Sequence, residues 1–273
     1  MNGLEQFSLK NKVIVITGAT GVLGASMSLE VARAGAKVVI LGRNEERAAQ
    51  RVAAIEDIGG EAFFVLGDVL NEDDMHAAKK RILETWGTID GLVNAAGGNI
   101  EGSIIKPDQD LFDAKIEDTR KAVDLNLFGT IIPTHVFGKV MAEGGKGSIV
   151  NISSLAAQQA ITRVLGYTIA KTAIEGYTKW MATELALRYK GGIRINAIAP
   201  GVFLTEQNRN LLLNPDGSYT DRTERFLNNT PYRRLGKPEE LTGTLIYLLS
   251  DASNFVTGET VLVDGGFNAY SGV

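Results

Sequence analysis

The 273-residue chain contains no cysteine, which removes disulfides, thiolate chemistry and cysteine-ligated metals at once. Histidine is scarce too. His76 and His135 both fall in stretches of helical pattern, away from the motifs described below. No His/Asp/Glu cluster has metal-ligand spacing, so no catalytic metal is expected. Basic charge is not in excess: 28 Lys and Arg against 32 Asp and Glu leave a formal charge of −4. That balance argues against a nucleic-acid footprint or a polybasic membrane patch. No apolar run approaches the ~20 residues of a membrane span, and no signal-like segment precedes Val13. The expectation is a soluble cytoplasmic protein with no membrane or nucleic-acid partner, and the missing cysteine fits a reducing compartment.

What is present is a regular alternation. Val13–Thr17, Lys37–Leu41, Ala62–Leu66, Gly91–Asn94, Ser148–Ile152, Arg194–Ala199 and Thr260–Val263 are nearly continuous apolar runs, the pattern of strands buried on both faces. Between them, Leu23–Ala34, Glu45–Ile58, Glu72–Trp86, Asp118–Met141, Thr168–Tyr189 and Pro238–Leu249 carry helical pattern. Asn44 before Glu45 and Glu46 is a good N-cap, and Pro238 suits a first helical turn. The alternation predicts one α/β domain over residues 1–273, a Rossmann-type doubly wound fold with a seven-stranded, mostly parallel sheet and helices on both faces. Gly98–Glu117 and Glu206–Asn229 are too long and polar for simple connections. Ligands in such sheets bind beyond the carboxyl ends of the strands, so a substrate lid is expected at about residues 203–230.

Gly18-Ala19-Thr20-Gly21-Val22-Leu23-Gly24 follows the first strand and opens the first helix. Glycines there allow a tight turn and bring backbone N–H groups and a helix N-terminus to a pyrophosphate. The second strand ends Leu41-Gly42-Arg43-Asn44, with no acid before Glu45. A carboxylate at that point would bind the ribose 2′-hydroxyl of NAD, whereas Arg accommodates the 2′-phosphate of NADP. Arg43 and Asn44 therefore favour NADP, with NAD as the alternative.

Tyr167 and Lys171 are four apart and share one helix face. That spacing alone is common. Together with Thr17 to Gly24, Asn94-Ala95-Ala96-Gly97, Ser154 and Pro200-Gly201, in this order, it resembles the short-chain dehydrogenase/reductase family from Leu9 to Phe267. One departure is the middle glycine, which stands at Gly21 where the family pattern commonly has it at the place of Val22. The resemblance implies that Tyr167 is the acid/base, with Lys171 favouring its phenolate and holding the nicotinamide ribose. Ser154 would hydrogen-bond the substrate oxygen, and Asn126 would fix a water leading from Lys171. Asn94, Ala95, Ala96 and Gly97 would wall the adenine side, with Asp68 and Val69 against the adenine. Pro200, Gly201, Phe203 and Thr205 would cover the nicotinamide and phosphates. Asn94 and Asn126 could instead cross-link elements, and Thr205 could cap the next segment. The resemblance also implies a homotetramer.

The segment Leu211–Asp221, the ending Asp264–Val273 and Gly97-Gly98-Asn99 resemble the D-mannonate oxidoreductase (fructuronate reductase) subgroup of that family. That implies a small sugar acid as substrate, D-fructuronate/D-mannonate. It would usually go with NAD, against the reading of Arg43. A gluconate 5-dehydrogenase-like activity, 3-oxoacyl-carrier-protein reduction or a non-catalytic cofactor-binding role are the alternatives, and the polar loop argues against an acyl chain. A sugar acid needs a cation for its carboxylate, and Arg163, Arg209, Arg222 and Arg225 are the candidates.

Overall fold

The computed structural model describes residues 3–206 and 208–272. Seven strands, β1 (Val13–Thr17), β2 (Lys37–Gly42), β3 (Glu61–Leu66), β4 (Gly91–Asn94), β5 (Gly147–Ile152), β6 (Ile193–Pro200) and β7 (Thr260–Val263), form one sheet in the order β3-β2-β1-β4-β5-β6-β7. All six pairings are parallel. β1 is buried at every position because helices cover both faces. Ile14 and Ile16 join one core and Val13 and Val15 the other, as the two-residue period requires.

The helices are α1 (Val22–Arg33), α2 (Glu45–Glu56), α3 (Glu72–Trp86), α4 (Ile116–Val123), α5 (Gly129–Gly144), α6 (Leu165–Arg188), α7 (Arg209–Leu212), α8 (Asp221–Asn229) and α9 (Thr242–Leu249). Two departures from the sequence pattern matter. The single helix expected over Asp118–Met141 is α4 and α5 joined by a π-helical turn, Asp124–Phe128, which places Asn126. The extra residue per turn leaves the hydrophobic spacing readable as one helix, so the pattern does not show it. The segment expected as a long polar loop, Glu206–Asn229, holds two helices. The N-cap of α8, Thr220, accepts from Thr223 N, and Thr223, Phe226, Leu227 and Thr230 form its inner face at helical spacing. Two of those four are threonines, so the apolar stripe is thin enough to pass for a loop. A bridge between Leu213 and Tyr219 closes the turn Asn214-Pro215-Asp216-Gly217, with Gly217 at φ +85°.

The register brings the ends of four strands level: Thr17 stands opposite Leu41 and Asn94, and Asn94 opposite Asn151. Strand order reverses direction about β1 and β4, and the crevice opens there.

Candidate active site

A cleft of about 530 Å³ runs along this edge, from the glycine loop to the first turn of α8. Gly18 has φ +65°, and a Cβ on it would lie 2.7 Å from Ala95 O; one on Gly24 would lie 2.3 Å from Gly18 O. No side chain fits at either position. The loop is further fixed by Thr17 Oγ1, which accepts from Ala95 N (3.1 Å) and Ala96 N (3.2 Å). Gly21 is the N-cap of α1, which has no side-chain cap and no acid in its first turn. By contrast, Asn44 caps α2 and Asn71 caps α3, each followed by acids. Of these three N-termini the open one, that of α1, faces the cleft, and its N–H groups and positive dipole end suit a diphosphate.

Beyond it lies the end of β2. A Cβ on Gly42 would lie 2.9 Å from Thr20 Cγ2, so a carboxylate at this position would displace Thr20. The side chains that do reach this end are Arg43 and Arg47, paired with Asp68 (3.4 Å) and Glu206 (2.8 Å). Asn44 does not line the cleft; its side chain is occupied as the cap, accepting from Arg47 N at 2.8 Å. Asn94 also points elsewhere: it is buried and donates to Thr134 Oγ1 and Asn151 Oδ1, tying β4 to β5 and α5. Ala95, Ala96, Gly97, Asp68 and Val69 do line the cleft, as do Pro200, Gly201, Phe203 and Thr205. Thr205 N donates to Asn208 Oδ1 and Asn208 Nδ2 donates to Phe203 O, so Asn208 shapes that stretch. Arg47, Glu206 and Asn208 were not among the residues singled out from sequence. Arg47 stands one helical turn past Arg43, a spacing that could have flagged it.

At the other end, Ser154, Tyr167 and Lys171 share one wall. α6 starts at Leu165, so Tyr167 and Lys171 both lie in its opening turns. Lys171 is 4% exposed and donates to Ile152 O at 2.7 Å, with its Nζ 5.4 Å from the Tyr167 ring centroid. Burial lowers the Lys171 pKa to about 8. Burial pushes Tyr167 above its ordinary value, and a hydrogen bond with Ser154 draws it part of the way back. Desolvation thus dominates, and the phenol stands protonated, ready to donate. Ser153 Oγ is turned to Glu175 Oε1 (2.8 Å), which leaves Ser154 as the serine beside the tyrosine. Asn126 lies behind the cleft, fully buried: its Oδ1 accepts from Gly98 N and its Nδ2 donates to Gly98 O and Ala122 O. Its side chain thus ties the end of α4 to the segment after β4. A Cβ on Gly97 would lie 2.6 Å from Asn126 Oδ1 and 3.6 Å from Lys171 Nζ, so glycine keeps those two groups in register.

Among the described residues, no helix is long and apolar enough to cross a membrane, and no group of three or more His, Asp or Glu is placed to hold a metal. A glycine cradle for a diphosphate at one end, and a phenol, a buried ammonium and a serine hydroxyl at the other, define an oxidoreductase site for an alcohol/ketone pair. The family model described as enoyl-(acyl carrier protein) reductase, adh_short_C2, matches residues 18–268, and the chain belongs to the short-chain dehydrogenase/reductase family. It is 42% identical to the uncharacterized oxidoreductase UxuB of Bacillus subtilis (strain 168), over 97% of this chain and 98% of that one. Among solved structures it resembles a proposed D-mannonate oxidoreductase from Haemophilus influenzae with bound NAD (37% identity, TM-score 0.89, 97% and 98% of the chains). It also resembles a gluconate 5-dehydrogenase from Burkholderia cenocepacia J2315 in complex with NADP and tartrate (33% identity, TM-score 0.86, 98% and 99%).

Proposed function

We propose that this protein is an NADP-preferring oxidoreductase that interconverts a ketone and a secondary alcohol on a small sugar acid, D-fructuronate/D-mannonate first among them. The charge of the cleft carries the reading. Its acids among the described residues, Asp68 and Glu206, both stand at the ribose end beside Arg43 and Arg47, while the end holding Tyr167 presents Lys171 and Arg222 and, among the described residues, no carboxylate. An anionic substrate suits that end. The two solved relatives named for sugar acids support the choice. The fit of the cradle and the uncapped α1 to a diphosphate supports a bound dinucleotide, which supplies or accepts the hydride. Tyr167 Oη donates its proton to the carbonyl oxygen in reduction and takes it back in oxidation. Ser154 Oγ holds that oxygen as charge develops. Lys171, as a cation beside the ring, favours the phenolate after transfer.

The preference for NADP rests on Arg43 and on the glycine at position 42, against which Thr20 is packed. A second reading has one observation in its favour. The lid contributes Leu211, Leu212 and Phe226 to the cleft wall, so its polar sequence does not argue against an acyl chain as the sequence suggested. Initial rates with NADPH and NADH against D-fructuronate, 5-keto-D-gluconate and a 3-oxoacyl thioester separate the readings. The highest kcat/KM is expected for NADPH with a keto sugar acid; the highest value on the thioester would overturn the assignment.

A further inference from the structure

Of the four arginines that could meet a carboxylate, the fold brings two together. Arg222, in the first turn of α8, lines the cleft with Ser154 and Tyr167, whereas Arg163, Arg209 and Arg225 stand outside its lining, the last two exposed. Arg222 crosses to the connection that leads into α6: its Nη1 donates to Thr162 Oγ1 (3.1 Å) and its Nη2 to Thr162 O (3.0 Å). Its guanidinium also stacks on Phe226, 5.1 Å from the ring centroid. The next residue after Thr162 is Arg163, close enough that its charge, together with burial, depresses the proton affinity of Arg222. Neither arginine forms an ion pair with a carboxylate among the described residues. Two neighbouring cations with no anion between them among the described residues repel each other.

The backbone at Arg163 carries a second cost. Its φ is +77°, in the left-handed region where a Cβ is strained and glycine is not. The other non-glycine residues there, Asn11, Lys190 and Arg233, are all exposed; Arg163 alone of the four is partly buried. It is pinned from both sides by Ile105, whose N donates to Arg163 O (2.9 Å) and whose O accepts from Arg163 Nε (2.9 Å). The side chain is thus held against Ile105, at a point where the backbone alone would favour glycine. Strain kept in place next to an unmatched charge points to a ligand.

We infer that Arg222 binds the substrate's carboxylate, with Thr162 holding it in place and the charge of Arg163, the next residue, reinforcing it, and that these two arginines set the preference for an acid over its uncharged counterpart. The inference rests on the proposed sugar-acid substrate. A planar guanidinium suits a carboxylate, and the connection that Arg222 is anchored on leads directly into the turn of α6 that carries Tyr167. A carboxylate held there fixes how far along the sugar the reacting carbon lies.

The test is the ratio of kcat/KM on D-fructuronate to that on D-fructose, in the full protein with NADPH, for the wild type, Arg222→Gln and Arg163→Gly. Arg222→Gln is expected to lower the ratio by roughly tenfold to a hundredfold, the range for losing one charge-assisted hydrogen bond, and Arg163→Gly to lower it by less, as for losing a nearby charge. Arg163→Gly is further expected to keep or raise Tm, because glycine accepts the backbone angle without strain. Loss of the ratio therefore cannot be put down to unfolding. Ratios equal to wild type in both variants overturn the inference. If the wild type itself shows no preference for the acid, the substrate reading fails, and titration of the NADPH complex with tartrate decides the site on its own. Binding that both variants weaken supports the arginine pair, and binding that neither weakens overturns it.

Discussion

The two ends of the cleft handle positive charge differently. At the ribose end Arg43 and Arg47 each have an acid, Asp68 and Glu206, in pairs that are well exposed to water. Exposed pairs of this kind are worth little, so a phosphate can take an arginine from its acid at small cost. At the reacting end Lys171 is buried against a carbonyl oxygen and Arg222 is anchored on Thr162, and neither has a carboxylate partner among the described residues. One end is neutral until its ligand displaces an internal partner, and the other holds uncompensated charge. Compensated charge tolerates a ligand of variable form, whereas uncompensated charge selects for an anion.

The sharpest way to break this contrast is to remove the one group that only the reacting end needs. Tyr167→Phe takes away the proton donor and leaves the cradle untouched. A fall in kcat of about 10²–10⁴-fold is expected, the usual span for general acid–base catalysis. NADPH affinity, read from cofactor fluorescence, is expected to stay within about threefold, far below the ~1.4 kcal/mol that a tenfold change represents. A comparable loss in both would show that the two ends are not separable.

The same division governs what could be read from the sequence. The cradle was legible because its parts are local: Gly18, Gly21 and Gly24 lie where β1 passes into the first turn of α1, and Tyr167 and Lys171 lie one turn apart. Asn44 and Asn94 sit within legible motifs yet face away from the cleft, because a motif gives the order of residues and not the direction of each side chain. Asn94 ends β4 and turns to Thr134 and Asn151. The reacting end depends on contacts across the chain. Arg222 meets Thr162 from 60 residues away, and nothing local marks it out from Arg209 or Arg225. The helix α8 was hidden because threonines occupy half of its buried face, and the π-turn at Asn126 because hydrophobic spacing does not register one added residue.

At the ribose end the expected effects are smaller. Arg43→Ala removes the guanidinium that would meet a 2′-phosphate. NADPH affinity is expected to fall by roughly tenfold to a hundredfold, as for one charge-assisted hydrogen bond, while NADH affinity changes by less than about threefold. Equal losses for the two cofactors would remove Arg43 from the preference. The glycines of the cradle differ among themselves. Gly24→Ala places a Cβ 2.3 Å from Gly18 O, whereas at Gly21 the nearest atom is 3.4 Å away. The first is expected to cost about 1–3 kcal/mol, a Tm lower by roughly 2–10 °C, and the second to leave Tm nearly unchanged.

The smallest effect tests the uncompensated charge directly. The pKa of Lys171 is lowered to about 8 in the folded chain from 10.5. Between those values the unfolded chain binds the proton that the folded chain has released, so this residue's contribution to stability rises with pH. Below about pH 8 the folded chain carries a buried ammonium and pays for its desolvation. As pH climbs past the folded value that penalty lifts, by about 1 kcal/mol between pH 7 and 9. The difference in unfolding free energy between wild type and Lys171→Met, measured by denaturant titration at several pH values, isolates the effect because other groups titrate in both. The wild type is expected to gain on the variant over that interval. A difference that stays flat would mean that Lys171 keeps its ordinary proton affinity, and with it a compensation that the reacting end does not display.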